Sequence, residues 1–170
     1  VAADVTFTGK LGTATTTVAH EKTFTAAASV VAGKTLDGDG TVAITALDAT
    51  AAADLSNITA ASVTAAVANN VTFTGTIGNA VVTVASGKTF TSTAAKVTGE
   101  TLNGSGTVAI TALDATADAD LSKITASTVT ANVADDVTFT GTIGNAVVSV
   151  DSGKTFTATA SKVTGETLNG

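Results

Sequence analysis

His20 is the only imidazole in the chain and no cysteine accompanies it, so acid–base or nucleophilic chemistry would have to be built from one histidine, lysines, carboxylates and hydroxyls. The sequence carries its own test of such candidates. Val5-Thr6-Phe7-Thr8-Gly9 returns as Val71-Thr72-Phe73-Thr74-Gly75 and again as Val137-Thr138-Phe139-Thr140-Gly141, at a constant spacing. A site used by every unit reappears in every unit. His20 becomes Ser86 and Ser152 at the equivalent positions, and reads as an exposed turn residue. No His- or Cys-based triad can be assembled elsewhere, and nothing marks a Ser-Lys or carboxylate arrangement, so the chain is not expected to be an enzyme.

Metal chemistry meets the same test. Asp37-Gly38-Asp39-Gly40 alternates carboxylates with glycine, as a turn around a hard cation does. Its equivalents, Asn103-Gly104-Ser105-Gly106, keep neither carboxylate, and the Gly-Gly-x-Gly-x-Asp nonapeptide of calcium β-rolls is missing. The segment reads first as a tight turn that takes Asp or Asn, with calcium the one cofactor left as an alternative. Asp48, Asp54, Asp114 and Asp120 do recur between the first two units. They are expected to cap corners through side-chain-to-backbone hydrogen bonds rather than to ligate calcium.

A third group is made of hydroxyls. Thr6 and Thr8, Thr23 and Thr25, Thr72 and Thr74, Thr89 and Thr91, Thr138 and Thr140, and Thr155 and Thr157 each flank a phenylalanine. In a strand the alternation buries the ring and sends both hydroxyls outward. The plain reading is a β-forming residue on a solvated face; the functional reading is a lateral contact or binding face. These triplets resemble those that Thr-x-Thr ice-binding solenoids present to ice, a similarity of triplet type only.

The elements that would position these groups follow from composition and punctuation. Threonine, alanine and valine supply more than half of the chain, and Thr and Val are β-branched. In the second unit, alternation is clearest at residues 71–74, 80–85, 88–93, 107–112 and 128–133, separated by glycine-containing or polar breaks. Residues 114–124, rich in Ala and Asp, read as a corner with a short helical turn. Phe7 and Phe24, Phe73 and Phe90, and Phe139 and Phe156 pair off at one constant spacing, which suits one coil stacked on another. Phe73 is expected over Phe90, followed inward by Val108 or Ile110 and then Ile124. Either four shorter coils or three longer ones would fill a unit.

The expected fold is therefore all-β, a right-handed parallel β-solenoid built from 66-residue repeats, with tandem small β-sandwich domains as the alternative. Residues 1–4 would end a preceding repeat, 5–70 form repeat 1, 71–136 repeat 2 and 137–170 a partial repeat 3, so the sequence reads as a window on a longer array. The net charge of −6 and a pI near 4.4, with scattered lysines and no arginine, argue against nucleic acid and anionic membranes as partners. No apolar run is long enough for a transmembrane helix. Absence of cysteine fits either redox compartment.

Three phrases carry a family likeness: residues 36–42, Thr41-Val42-Ala43-Ile44-Thr45-Ala46-Leu47, and Asp54-Leu55-Ser56-Asn57-Ile58-Thr59-Ala60. They resemble the Thr/Ala/Val-rich repeats of large bacterial secreted surface proteins, repetitive adhesins and S-layer-like proteins. The resemblance is one of style over the whole chain. It implies export, a cell-surface location, and a structural or adhesive role exercised through self-assembly into a fibre, stalk or lattice. Ice or glycan recognition by the threonine rows is the alternative function.

Overall fold

A computed structural model describes residues 1–170 of the chain. Strands dominate, and they form two large sheets. The first is assembled in the order β1 (Val5–Phe7), β3 (Thr23–Ala27), β5 (Thr41–Thr45), β6 (Ser62–Val67), β8 (Val81–Val84) and β10 (Leu102–Gly104). The second runs β7 (Val71–Thr72), β9 (Thr89–Thr93), β11 (Thr107–Thr111), β12 (Thr128–Val133), β14 (Val147–Val150) and β16 (Leu168–Asn169). Each strand of the second sheet is the equivalent, one repeat later, of a strand of the first. Two short pairs, β2 (Thr16–Thr17) with β4 (Leu36–Asp37) and β13 (Val137–Phe139) with β15 (Phe156–Ala158), are the equivalents of β8 with β10 and of β7 with β9.

Every strand pair is parallel. Parallel neighbours cannot be joined by a tight hairpin, so the chain must travel away and return between them. Here the journey is short: it is briefest between partners such as Thr64 and Val81, and only slightly longer between Thr41 and Ser62. The excursion from β6 to β8 passes through β7, and that from β8 to β10 through β9, so the chain alternates between the two sheets. Small β-sandwich domains would pair their strands antiparallel, and no pair here does. Strands β1, β3, β5 and β6 of the first sheet come from repeat 1, while β8 and β10 come from repeat 2. A sheet begun by one repeat is finished by the next.

The inward residues merge accordingly. Forty-one buried hydrophobic side chains, from Val18 to Val148, form one continuous cluster rather than one core per repeat. Phe73 and Phe90 meet with ring centroids 5.4 Å apart, and Phe7 with Phe24 and Phe139 with Phe156 repeat the contact at 5.7 and 5.5 Å. The strand partner of Phe90 is Val71 rather than the expected Phe73, which lies two residues farther along and meets Phe90 through its ring. From Phe90 the inward column holds to Val108 and then passes to Val129, not Ile124. Ile124 instead bridges Leu102, on the line of the first sheet. The reason is the length of the corner, which carries the chain past Ile124 before β12 comes into register with β11.

Corners are built from short helical turns. Ala28–Val31 (α1), Ala94–Val97 (α2) and Ala160–Val163 (α3) follow the Phe-bearing strands, and 3-10 turns occupy Leu47–Ala49 and Leu113–Ala115. Of the corner expected over residues 114–124, only its first residues are helical, and Asp120 farther on bridges Thr142. Ala112 enters that turn in the left-handed region, at φ 51, a conformation that costs a residue with a Cβ about 1 to 2 kcal/mol. At Gly104 the need for glycine is twofold: its φ is 108, and a Cβ would collide with the Val84 carbonyl.

Candidate functional site

The threonines of the triplets separate into two groups. Thr23, Thr25, Thr72, Thr89, Thr91 and Thr157 lie in strands with their side chains on the outer face, and Thr6 and Thr138 do the same on β1 and β13. Thr8, Thr74, Thr140 and Thr155 fall outside the strand bounds. Thr74 and Thr140 turn their hydroxyls back to donate to the carbonyls of Ala51 and Ala117, at 3.4 and 3.3 Å. These two are corner residues as much as face residues.

Strand register shows a larger array than the triplets alone. On the second sheet Thr89 lies beside Thr107 and Thr107 beside Thr128; Thr91 lies beside Ala109 and Ala109 beside Thr130; Thr93 lies beside Thr111. The first sheet repeats the pattern with Thr23, Thr41 and Ser62, then Thr25, Ala43 and Thr64, and Thr45 beside Ala27. The result is a hydroxyl-bearing grid on each sheet, with Thr72 extending the second and Thr6 the first. The members outside the Phe triplets are legible in Thr-Val-Ala-Ile-Thr, whose alternation places its two threonines on the same outer face. Shallow depressions of about 340 and 320 Å³ lie along this face, one lined by Asn70, Val71, Thr72, Thr89 and Thr91, the other by the equivalent Asp136, Val137, Thr138, Thr155 and Thr157.

Four recurring aspartates are engaged at the corners. Asp48 and Asp114 accept the backbone N–H groups of Ala68 and Ala134, each at 2.8 Å. Asp54 and Asp120 accept those of Ser56 and Ser122, each at 3.0 Å. Burial works against ionisation of Asp48, yet hydrogen bonds from the Asn69 amide and the Ala68 N–H hold its carboxyl below the usual range. The hydrogen bonds from Ser56 and Ser122 lower Asp54 and Asp120 in the same way. A further cap emerges from the structure: Asp4, Asn70 and Asp136 accept the N–H of Thr23, Thr89 and Thr155 at 2.8, 2.9 and 2.8 Å. The alternation of Asp with Asn at equivalent positions is the signal for it, since either oxygen accepts the bond.

Other candidates are dispersed. His20 is exposed in the turn before β3, 3.8 Å from the Glu21 carboxylate. Asp37 has one buried oxygen without a hydrogen-bond partner, whereas its equivalent Asn103 accepts from the Thr83 hydroxyl at 2.8 Å. No three His, Cys, Asp or Glu side chains gather in a metal-binding group. Lys154 pairs with Asp135 at 2.6 Å, and that hydrogen bond raises the lysine. Glu100 is the one carboxyl pushed up, by burial, against the pull of Lys123. No helix is long and apolar enough to cross a membrane.

No family model, curated protein or solved structure matches the chain.

Proposed function

We propose that the chain is a segment of a parallel β-solenoid and that it serves as a structural element of an extracellular bacterial fibre, stalk or surface layer, acting through self-assembly and mechanical support or adhesion. The observation that carries this reading is the phase difference between repeat and sheet. Because repeat 2 supplies the last two strands of the sheet that repeat 1 begins, neighbouring repeats are joined through backbone hydrogen bonds and one shared core. Such continuity suits a load-bearing rod. The corner carboxylates are spent on backbone donors, and His20 stands exposed beside Glu21, which supports assembly over catalysis as the activity.

Electron microscopy of the purified chain, and of its native assembly on the cell, tests this directly. With layers about 4.8 Å apart, the chain should appear as a rod roughly 40 Å long. Association should increase with concentration and with salt, because the net charge of −6 opposes contact most strongly at low ionic strength. Compact beads on a flexible string, or a monomer at high concentration and high salt, would overturn the reading. The threonine grids favour a second reading, recognition of an ordered ice or glycan surface, which thermal hysteresis and glycan-binding measurements test.

A further inference from the structure

We propose that successive repeats turn their threonine grids toward different sides of the molecule, and that the partner of each grid is a grid on a second copy of the chain, so that one molecule is tied to neighbours in more than one direction. This rests on the structural role above and specifies the surface through which it is exercised. The geometry comes from a single circuit. Asp54 bridges Thr76, one full turn of the chain later. Between them the chain passes Ile58, which bridges Leu36 of β4, then β6 of the first sheet, then β7 of the second. One turn of the chain thus visits three sheets lying side by side around it. The first and second sheets occupy different sides, and their equivalent grids cannot share a plane.

The identity of the partner follows from chemistry and area. Hydroxyls both donate and accept, so a grid is complementary to its own copy. The six central strands, β3, β5, β6, β9, β11 and β12, contain no charged residue. The net charge of −6 is therefore carried off these faces and does not oppose their contact directly. Every phenylalanine is buried or half-buried, which leaves no exposed ring to stack on a sugar. A grid of three strands by three outward positions covers about 300 Å², from strand and residue spacings. Two such faces bury about 600 Å², well short of the roughly 1,200 to 2,000 Å² of a stable pair. A single grid contact is weak, and assembly must draw on several at once. A flat surface meets only the grids on one side, whereas surrounding copies can meet them all.

Absence of cysteine makes the test simple. Thr25→Cys reports on the first grid and Thr91→Cys on the second; Ser152→Cys, exposed in a turn outside both, is the control. Each full-length variant is treated with a short thiol-to-thiol cross-linker at high salt. The single variants should give covalent dimers well above the control and stop there. The double variant should run on to a ladder of higher oligomers. Single variants that cross-link no better than Ser152→Cys, or a double variant that stops at dimers, would overturn the proposal. If wild-type chain sediments as assemblies while the grid variants fail to cross-link, this inference falls and the structural role stands. If wild-type chain remains monomeric, both fall.

Discussion

Replacing Phe73 by alanine probes the feature on which the architecture depends most, the stacked rings of the core. Phe73 is 1% exposed and Phe90 fully buried, with centroids 5.4 Å apart and planes tilted by 32°. Removing so enclosed a ring loses its transfer free energy and leaves a cavity that surrounding strands fill incompletely, a cost of about 3 to 5 kcal/mol. The backbone is not the cause of the loss. The bond from the Ser92 hydroxyl to the Phe73 carbonyl, 2.8 Å long, uses no side-chain atom of Phe73 and remains available in the variant. Position along the stack supplies an internal scale: Phe24 and Phe139 are as enclosed as Phe73, whereas Phe7 and Phe156 are only half-buried. Alanine at Phe7 or Phe156 should therefore cost clearly less than at Phe73 or Phe90. In a double-mutant cycle, Phe73 and Phe90 should couple by about 0.5 to 1.5 kcal/mol, the surplus of an aromatic pair over its area. Denaturant titration followed by far-UV circular dichroism gives each value, with the slope watched for loss of two-state behaviour, as repeat arrays require. A Phe73→Ala loss below about 1 kcal/mol would refute the enclosed stack, since replacing even a smaller enclosed side chain, Leu or Ile, by alanine costs about 2 to 5 kcal/mol. Equal losses at Phe156 and Phe90 would do so too.

Two backbone substitutions of opposite sign should follow from the turns. Gly104→Ala, at φ 108 and facing the Val84 carbonyl, should lower stability by at least about 1 to 3 kcal/mol. Ala112→Gly relieves left-handed strain at a residue with φ 51 and should range from neutral to about 1 kcal/mol stabilising in thermal melts. The pH dependence carries two signs as well. Glu100 is raised by burial, so its ionisation destabilises the fold as pH climbs through its folded pKa; Glu100→Gln should raise the melting temperature at neutral pH, and the difference should vanish below about pH 4.3. Asp48, Asp54 and Asp120 are lowered, so their contribution is present above about pH 3.9 and lost as pH falls through their folded values. Melts across this acid range should show destabilisation, and an unchanged melting temperature down to strong acid would contradict the capping bonds.

Much of this architecture is written locally and is readable locally. Alternation in Thr128–Val133 and Thr107–Thr111 gives strands within a residue of those observed, and the spacing of Phe73 from Phe90 signals their ring contact but not the register, in which Phe90 pairs with Val71. Other features depend on how far a corner carries the chain, which no alternation encodes. Val129, rather than Ile124, follows Val108 because residues 112–127 consume a longer path than a strand-to-strand step suggests. The helical turn at Ala94–Val97 escapes a periodicity argument because it spans barely one turn. The threonine face is visible in its Phe triplets, while Thr74 and Thr140 leave it because their hydroxyls find a corner carbonyl instead. The Asp4, Asn70 and Asp136 caps are hidden for a different reason. Their acceptor role is set by the strand that arrives one circuit of the chain later, not by their own neighbours.

The unit that duplicates in the sequence is out of step with the six-strand sheet that folds. Inheritance of length is shaped by that mismatch. When a recombination event inserts one whole unit, β6 still meets a strand of the β8 type and β10 still meets the line of Ile124, because the newcomer presents equivalent residues at every junction. The array gains one sheet and no pairing is disturbed. Insertion or loss of a fraction of one circuit instead throws the strands on either side of the break out of register with each other. Such an array can therefore lengthen or shorten by a whole unit with every junction preserved.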